Sequence, residues 1–162
     1  MKDNLEKLIE TSSLKESFQQ ATFPTKKTEE WIYTNPTLLF EGLSKVHASD
    51  SVELPKKFEH QLTFINGELD LNQTNLPKGI SIEVSEKSHP LLDESTYLLQ
   101  SGLGKTYLIN VEDKFYAEAP LTVVKWATNS DSESIIPLNL EINVGKNAKL
   151  TLSEVNYSEG ES

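Results

Sequence analysis

Cysteine is absent from the 162 residues, which excludes a disulfide framework, a thiolate nucleophile and a thiolate metal site within this chain. Arginine is absent as well: all 15 basic residues are lysine, set against 25 acidic ones, for a net charge of -10. Recognition of phosphates and base edges leans on the bidentate guanidinium and on a basic surface, so nucleic acid is not an expected partner. No run approaches the ~20 apolar residues of a membrane helix, and no membrane partner is expected. The start of the chain carries Asp3, Glu6 and Glu10 without an apolar stretch, so neither a secretory signal nor an arginine-rich transit peptide is visible. The expected address is cytoplasmic, or an organelle matrix if a transit peptide has been removed. What is present is a 36% hydrophobic share with two tryptophans, five tyrosines and six phenylalanines, enough for an ordered core rather than a disordered chain.

The hydrophobic period changes along the chain. Leu5, Leu8 and Ile9 form one helical stripe, but Leu14, Phe18 and Ala21 fall on nearly the opposite face if that helix is continued. Ser13 with Glu16 fits a capping box, which predicts two helices, about 3 to 11 and 14 to 22, the second ended by Pro24. Asn35 and Pro36 predict a third short helix, stopped at Gly42. From Ser44 to Lys57 the composition is that of a linker. Beyond it the period is two. Gln61–Ile65, Asn66-Gly67 and Glu68–Leu71 read as a hairpin, because Asn-Gly accepts the positive φ of a type I′ turn. Further strands are expected over Ile80–Val84, Thr106–Val111, Leu121–Trp126, Leu138–Val144 and Ala148–Val155, with one or two helical turns over Asp93–Gln100 and a turn at Gly145-Lys146-Asn147. Val155 and Tyr157 shift parity relative to Leu150 and Leu152, which suggests a bulge or strand end near Glu154. The tail from Ser158 to Ser162 is polar and expected to fray.

Candidate chemistry is sparse. His47, His60 and His89 each stand alone, without a second ligand at helix or strand spacing. Glu29 with Glu30, and Glu159 with Glu161, read as solvated faces rather than acid and base pairs, and no catalytic residue is assigned. Gly102-Leu103-Gly104-Lys105-Thr106 resembles the close of a phosphate loop, but position 99 is Leu99 and the segment runs into a strand. No metal-binding or cofactor-binding residue is expected. Trp31 and Tyr33 are the residues singled out for partner contact, although their simpler role is to pin the helical part against the sheet. Trp126 is expected on the inner core face.

Phe23-Pro24-Thr25-Lys26-Lys27-Thr28-Glu29-Glu30-Trp31-Ile32-Tyr33-Thr34-Asn35 resembles the N-terminal signature of the SufD iron-sulfur cluster assembly family. Phe64–Gly67, Leu76–Ile80 and Ile142–Glu154 resemble successive later segments of that family in the same order. Ile32 departs from the arginine common before Tyr-Thr, and the expected Leu-Asn element is not clear around Leu98–Gly104. The resemblance covers nearly the whole chain but only the N-terminal part of a SufD, which continues into a right-handed parallel β-helix and a C-terminal helical domain. It implies SufB and SufC homologues as partners, most of whose sites would lie beyond Ser162, and an iron-sulfur cluster only in the assembled complex.

The expected fold is α+β and β-rich: short N-terminal helices, then strands resembling the first rungs of a right-handed parallel β-helix. The expected organisation is a helical region and linker over 1–57, a small mixed β-hairpin and helix region over 58–104, and a β-strand region over 105–162. For the last two strands the loop length favours an antiparallel hairpin, since parallel neighbours need long crossovers, whereas the resemblance makes them sides of rungs. In the second case the final strand leaves an open edge suited to strand addition or self-association. The expected function is a non-catalytic scaffold subunit, or fragment of one, of the SUF system. The alternative is a free-standing β-rich module for a small molecule or glycan, with Trp126 or Tyr107 as stacking platforms.

Overall fold

The computed structural model describes residues 15–20, 45–46, 52–85, 105–128 and 134–159. Within them lie one short helix, α1 (Lys15–Gln20), and nine strands: β1 (Lys45–Val46), β2 (His60–Ile65), β3 (Glu68–Leu69), β4 (Ile80–Ser85), β5 (Thr106–Val111), β6 (Leu121–Ala127), β7 (Ser134–Ile135), β8 (Asn139–Val144) and β9 (Leu152–Ser158). α1 falls inside the second expected helix; the first and third helices and the helical turns over Asp93–Gln100 lie outside the described residues. β1 sits inside the expected linker and pairs in parallel with β7.

The expected hairpin forms. Asn66 and Gly67 both take positive φ, 48° and 81°, the left-handed pair a type I′ turn requires. β2 then pairs antiparallel with β3. A Cβ on Gly67 would lie 2.6 Å from the Pro137 carbonyl oxygen, so the turn is also pressed against the β7–β8 connection.

Two larger mixed sheets carry the fold, in the orders β3-β2-β6-β9 and β4-β5-β8. β3 and β4 are the antiparallel members at one end of each; all remaining neighbours are parallel. The chain passes from β5 to β6, then from β8 to β9, and the second pass lies beside the first. Asn110 and Asn143, 33 residues apart, face each other across β5 and β8, and Thr122 and Ser153, 31 apart, do so across β6 and β9.

The corners stack too. Gly145 N–H donates to the Val111 carbonyl at 2.9 Å, Lys149 N–H to Phe115 at 2.8 Å and Leu121 N–H to Thr151 at 2.9 Å. A Cβ on Gly145 would meet the backbone of Val111, Glu112 and Asp113 at 2.6–2.7 Å, so this corner closes only around glycine.

An antiparallel hairpin of the last two strands does not occur. β8 pairs with β5 and β9 with β6, both in parallel. The short Gly145–Asn147 loop joins strands of different sheets, and the long crossover that parallel neighbours need is the whole intervening pass. The bulge expected near Glu154 is also absent: β9 keeps unbroken register with β6 from Leu121↔Leu152 to Ala127↔Ser158. Parity shifts because the outer face carries its own apolar column, Val124 against Val155 and Trp126 against Tyr157. β9 begins at Leu152; Ala148 and Leu150, expected within a strand, belong to the corner and pack on the core.

The core lies between the inner faces of the two sheets: Leu62, Phe64, Leu121 and Val123 from one, Ile80, Tyr107, Ile109 and Val111 from the other. Leu62 and Ile109 have no exposed surface. Burying such side chains stabilises by about 1.5–3 kcal/mol each. The Phe64 and Tyr107 rings meet at 5.0 Å and 59°. On the outer face of β2, Gln61 and Thr63 are buried, and both side chains are satisfied by donating to the Gln73 carbonyl. That short 3-10 turn, Leu71–Gln73, is capped by Asp70, whose carboxylate accepts from Asn72 N–H.

Candidate functional site

Two features of the described residues are open to a partner. The first is the edge itself. Among the described residues β8 and β9 each have one neighbouring strand. Successive side chains alternate between faces, so Leu140, Ile142 and Val144, which pair with Tyr107, Ile109 and Val111, point to the same inner side as those core residues. Among the described residues no strand pairs with their other side, and these side chains are partly exposed, Val144 at 52% and Leu152 of β9 at 43%. A groove of about 380 Å³ runs between them, walled by Val123, Leu138, Leu140, Ile142 and Leu152.

One end of this groove is polar, although it occupies inner-face positions. Lys125 continues the Leu121 and Val123 alternation, and its Nζ lies 3.0 Å from Glu154 Oε2. Asn156 Nδ2 donates to Glu154 Oε1 at 3.0 Å. The Asn156 hydrogen bond, then the Lys125 ammonium, hold the Glu154 carboxyl below its usual range.

Side chains also form columns that run up the stack and stop at this edge. Asn143 donates to Asn110 Oδ1 at 3.3 Å, and Asn110 donates to Glu83 Oε1 at 2.9 Å. The Thr122 and Ser153 hydroxyls share a hydrogen bond of 2.8 Å. The Trp126 and Tyr157 rings are 5.0 Å apart.

The second feature is a cavity of about 470 Å³ at the C-terminal ends of β2, β6 and β9, lined by Phe64, Gly67, Trp126, Pro137 and Tyr157 among others. Trp126 is half-buried and sits on the outer face, opposite Val123, so it is not the inner-face core residue expected. Tyr107, the other suggested stacking platform, is buried: its hydroxyl accepts from Leu69 N–H at 3.2 Å and lies 3.3 Å from Glu68 Oε2. Burial pushes its phenol pKa up, and it offers no ring face to a ligand.

Trp31 and Tyr33, like His47, His89, Glu29, Glu30 and Glu161, lie outside the described residues. His60 is half-buried, its Nε2 3.8 Å from Glu59 Oε1. Gly102, Leu103 and Gly104 lie outside the described residues; of the rest of that segment, Thr106 opens β5 and Lys105 Nζ is held by Glu68 Oε2 at 2.6 Å, whose hydrogen bond raises the lysine pKa. No group of three or more metal-ligating side chains is found among the described residues, and no helix there is long and apolar enough to cross a membrane.

The residues that sequence reasoning missed are Lys125, Glu154, Asn156 and Tyr157. The visible signal was a lysine, a glutamate and an asparagine at positions where alternation calls for apolar residues. No family model matches this chain, and no curated protein matches it.

Proposed function

We propose that this chain is a non-catalytic scaffold subunit of the SUF iron-sulfur assembly type, or part of one, and that it acts through protein–protein contacts in the cytosol or an organelle matrix. The observation that carries this reading is the open edge. Among the described residues β8 and β9 are the last strands of the two larger mixed sheets, each paired on one side only, and apolar side chains lie exposed between them. Such an edge is built to pair with more polypeptide. The stacked passes, 31 and 33 residues long with corner bonded to corner, support reading β5–β9 as the first rungs of a parallel β-helix. The order of the four SufD-like segments supports the family. The iron-sulfur cluster belongs to the assembled complex, where it is cargo.

The test is reconstitution with purified SufB-type and SufC-type subunits, followed by size-exclusion chromatography with light scattering. A complex with the SufB-type subunit is expected. Absence of a complex with the SufB-type subunit contradicts the reading, as does iron-sulfur absorbance retained by the chain alone; a complex with the SufC-type subunit is not required, since the resemblance puts that site beyond Ser162.

A second reading is favoured by the cavity beside the Trp126–Tyr157 pair: a β-rich module binding a flat small molecule or a sugar ring. A change in tryptophan fluorescence on titration with such ligands, in a chain that forms no complex with SufB-type subunits, would replace the first reading with this one.

A further inference from the structure

Asn66-Gly67 is the one Asn-Gly step in the chain, and the hairpin turn that needs it also carries its chemical liability. With no Cβ on the following residue, the backbone nitrogen can approach the asparagine side-chain carbon, and asparagine is thermolabile for this reason. The Gly67 amide nitrogen bonds to Asn66 Cγ, the Cγ–Nδ2 bond breaks, and Nδ2 leaves as ammonia with the proton from Gly67. Water then opens the cyclic imide. At Cγ it gives aspartate; at the Asn66 main-chain carbonyl it gives isoaspartate, in which the backbone runs through Cγ.

The surroundings of Asn66 oppose the first of these steps. The residue is 4% exposed. Its Nδ2 donates to Thr128 Oγ1, its Oδ1 accepts from Thr128 N–H, and its own N–H donates to the Trp126 carbonyl at 2.8 Å. On the other side, Gly67 is pressed against the Pro137 carbonyl and the Ile136 side chain. β2 and β6, whose ends carry this clamp, each have strands on both sides, so it lies within the sheet and away from β8 and β9.

We infer that Asn66 is a latent modification site, inert while Thr128 holds its carboxamide and converted irreversibly to aspartate or isoaspartate when the ends of β2 and β6 part. The conversion is a one-way switch on the hairpin. Aspartate puts an oxygen where Nδ2 donated, in a buried site. Isoaspartate lengthens the two-residue turn by a backbone carbon, and β3 loses its register with β2. Either product adds a negative charge to a chain whose net charge is already -10. This inference goes beyond the scaffold reading and stands independently of it.

The test incubates the full-length chain at mildly alkaline pH and follows Asn66 by peptide mapping that separates the asparagine, aspartate and isoaspartate forms. Conversion in the folded chain is expected to be at least about a hundredfold slower than in the urea-unfolded chain, with the ratio matching the exchange protection of the Thr128 amide in the same buffer. Thr128→Val keeps the side-chain shape and the backbone N–H but removes the acceptor of Nδ2, and is expected to speed conversion at least about tenfold. Thr128→Ser keeps the hydroxyl and is expected to convert at close to the rate of the unaltered chain. Where Thr128→Val does not fold, urea below the unfolding midpoint decides with the unaltered chain: its conversion rate must rise in step with Thr128 amide exchange. A folded chain that converts as fast as the unfolded one overturns the inference, as does a folded Thr128→Val chain that converts no faster. In the isoaspartate form, isolated by ion exchange, the Leu69 and Asp70 amides, which donate to Tyr107 Oη and the Thr63 carbonyl, are expected to lose exchange protection. Protection that survives there would overturn the switch.

Discussion

Trp126 and Tyr157 stand at the same level of neighbouring parallel strands, ring centroids 5.0 Å apart and planes inclined at 32°. The pair reports directly on whether the last pass is laid on the one before it. A double-mutant cycle with Trp126→Leu and Tyr157→Leu, followed by urea unfolding, is expected to give a coupling of about 0.5–1.5 kcal/mol. Additive effects would mean that β9 is not held against β6 in solution.

Gly145 is required by close approach rather than by its own dihedrals, since a methyl there would stand 2.6 Å from backbone atoms of the preceding corner. Neither side can yield without breaking the Gly145-to-Val111 hydrogen bond. Gly145→Ala is expected to cost about 2–4 kcal/mol, measured by urea unfolding with exchange protection lost first in β8 and β9. A cost below about 0.5 kcal/mol would show that the corners do not stack.

Asn66 ties the hairpin turn to the end of β6. Its Nδ2 donates to Thr128 Oγ1 at 2.7 Å and its Oδ1 accepts from Thr128 N–H at 2.9 Å, both buried. Asn66→Gly keeps the positive φ of the turn and removes only the side chain. Leaving the buried Thr128 N–H without that acceptor is expected to cost about 1–3 kcal/mol in chemical denaturation.

Glu154 supplies a pH readout at the edge. Its folded-state pKa is depressed, first by the Asn156 hydrogen bond and then by Lys125, so its contribution to stability is present above the ordinary glutamate pKa and is lost as pH falls through the folded value. An NMR titration of the Glu154 side chain should give a midpoint below the usual range. Asn156→Ala and Lys125→Met are each expected to return it upward; a midpoint that neither change moves would contradict the geometry at the end of the groove.

The hairpin was legible in the sequence because Asn66-Gly67 encodes its turn locally, and β8 because Leu138, Leu140, Ile142 and Val144 alternate with polar neighbours. The parallel pairing of the last strands was not legible in alternation or loop length; only the family resemblance pointed to it. A short loop at Gly145–Asn147 fits a hairpin as well as a corner, and only pairing across 31 or 33 residues separates the two. The site was hidden for a related reason. Lys125, Glu154 and Asn156 occupy inner-face positions, and in the sequence that looks like a broken pattern near Glu154; their meaning comes from the contacts they make with one another between β6 and β9. Tyr107 misled in the opposite direction, since an aromatic on a strand reads the same whether it faces a ligand or, as here, Phe64.

The most direct measurement is residue-resolved amide hydrogen exchange on the full chain, alone and with an excess of the SufB-type subunit. For the chain alone, β6 amides are expected to be protected while the amides on the free sides of β8 and β9 exchange quickly. On adding the subunit, the β9 amides between Leu152 and Ser158 are expected to become protected. An edge already protected in the isolated monomer, or one that the added subunit leaves unchanged, would contradict a scaffold that works through this edge.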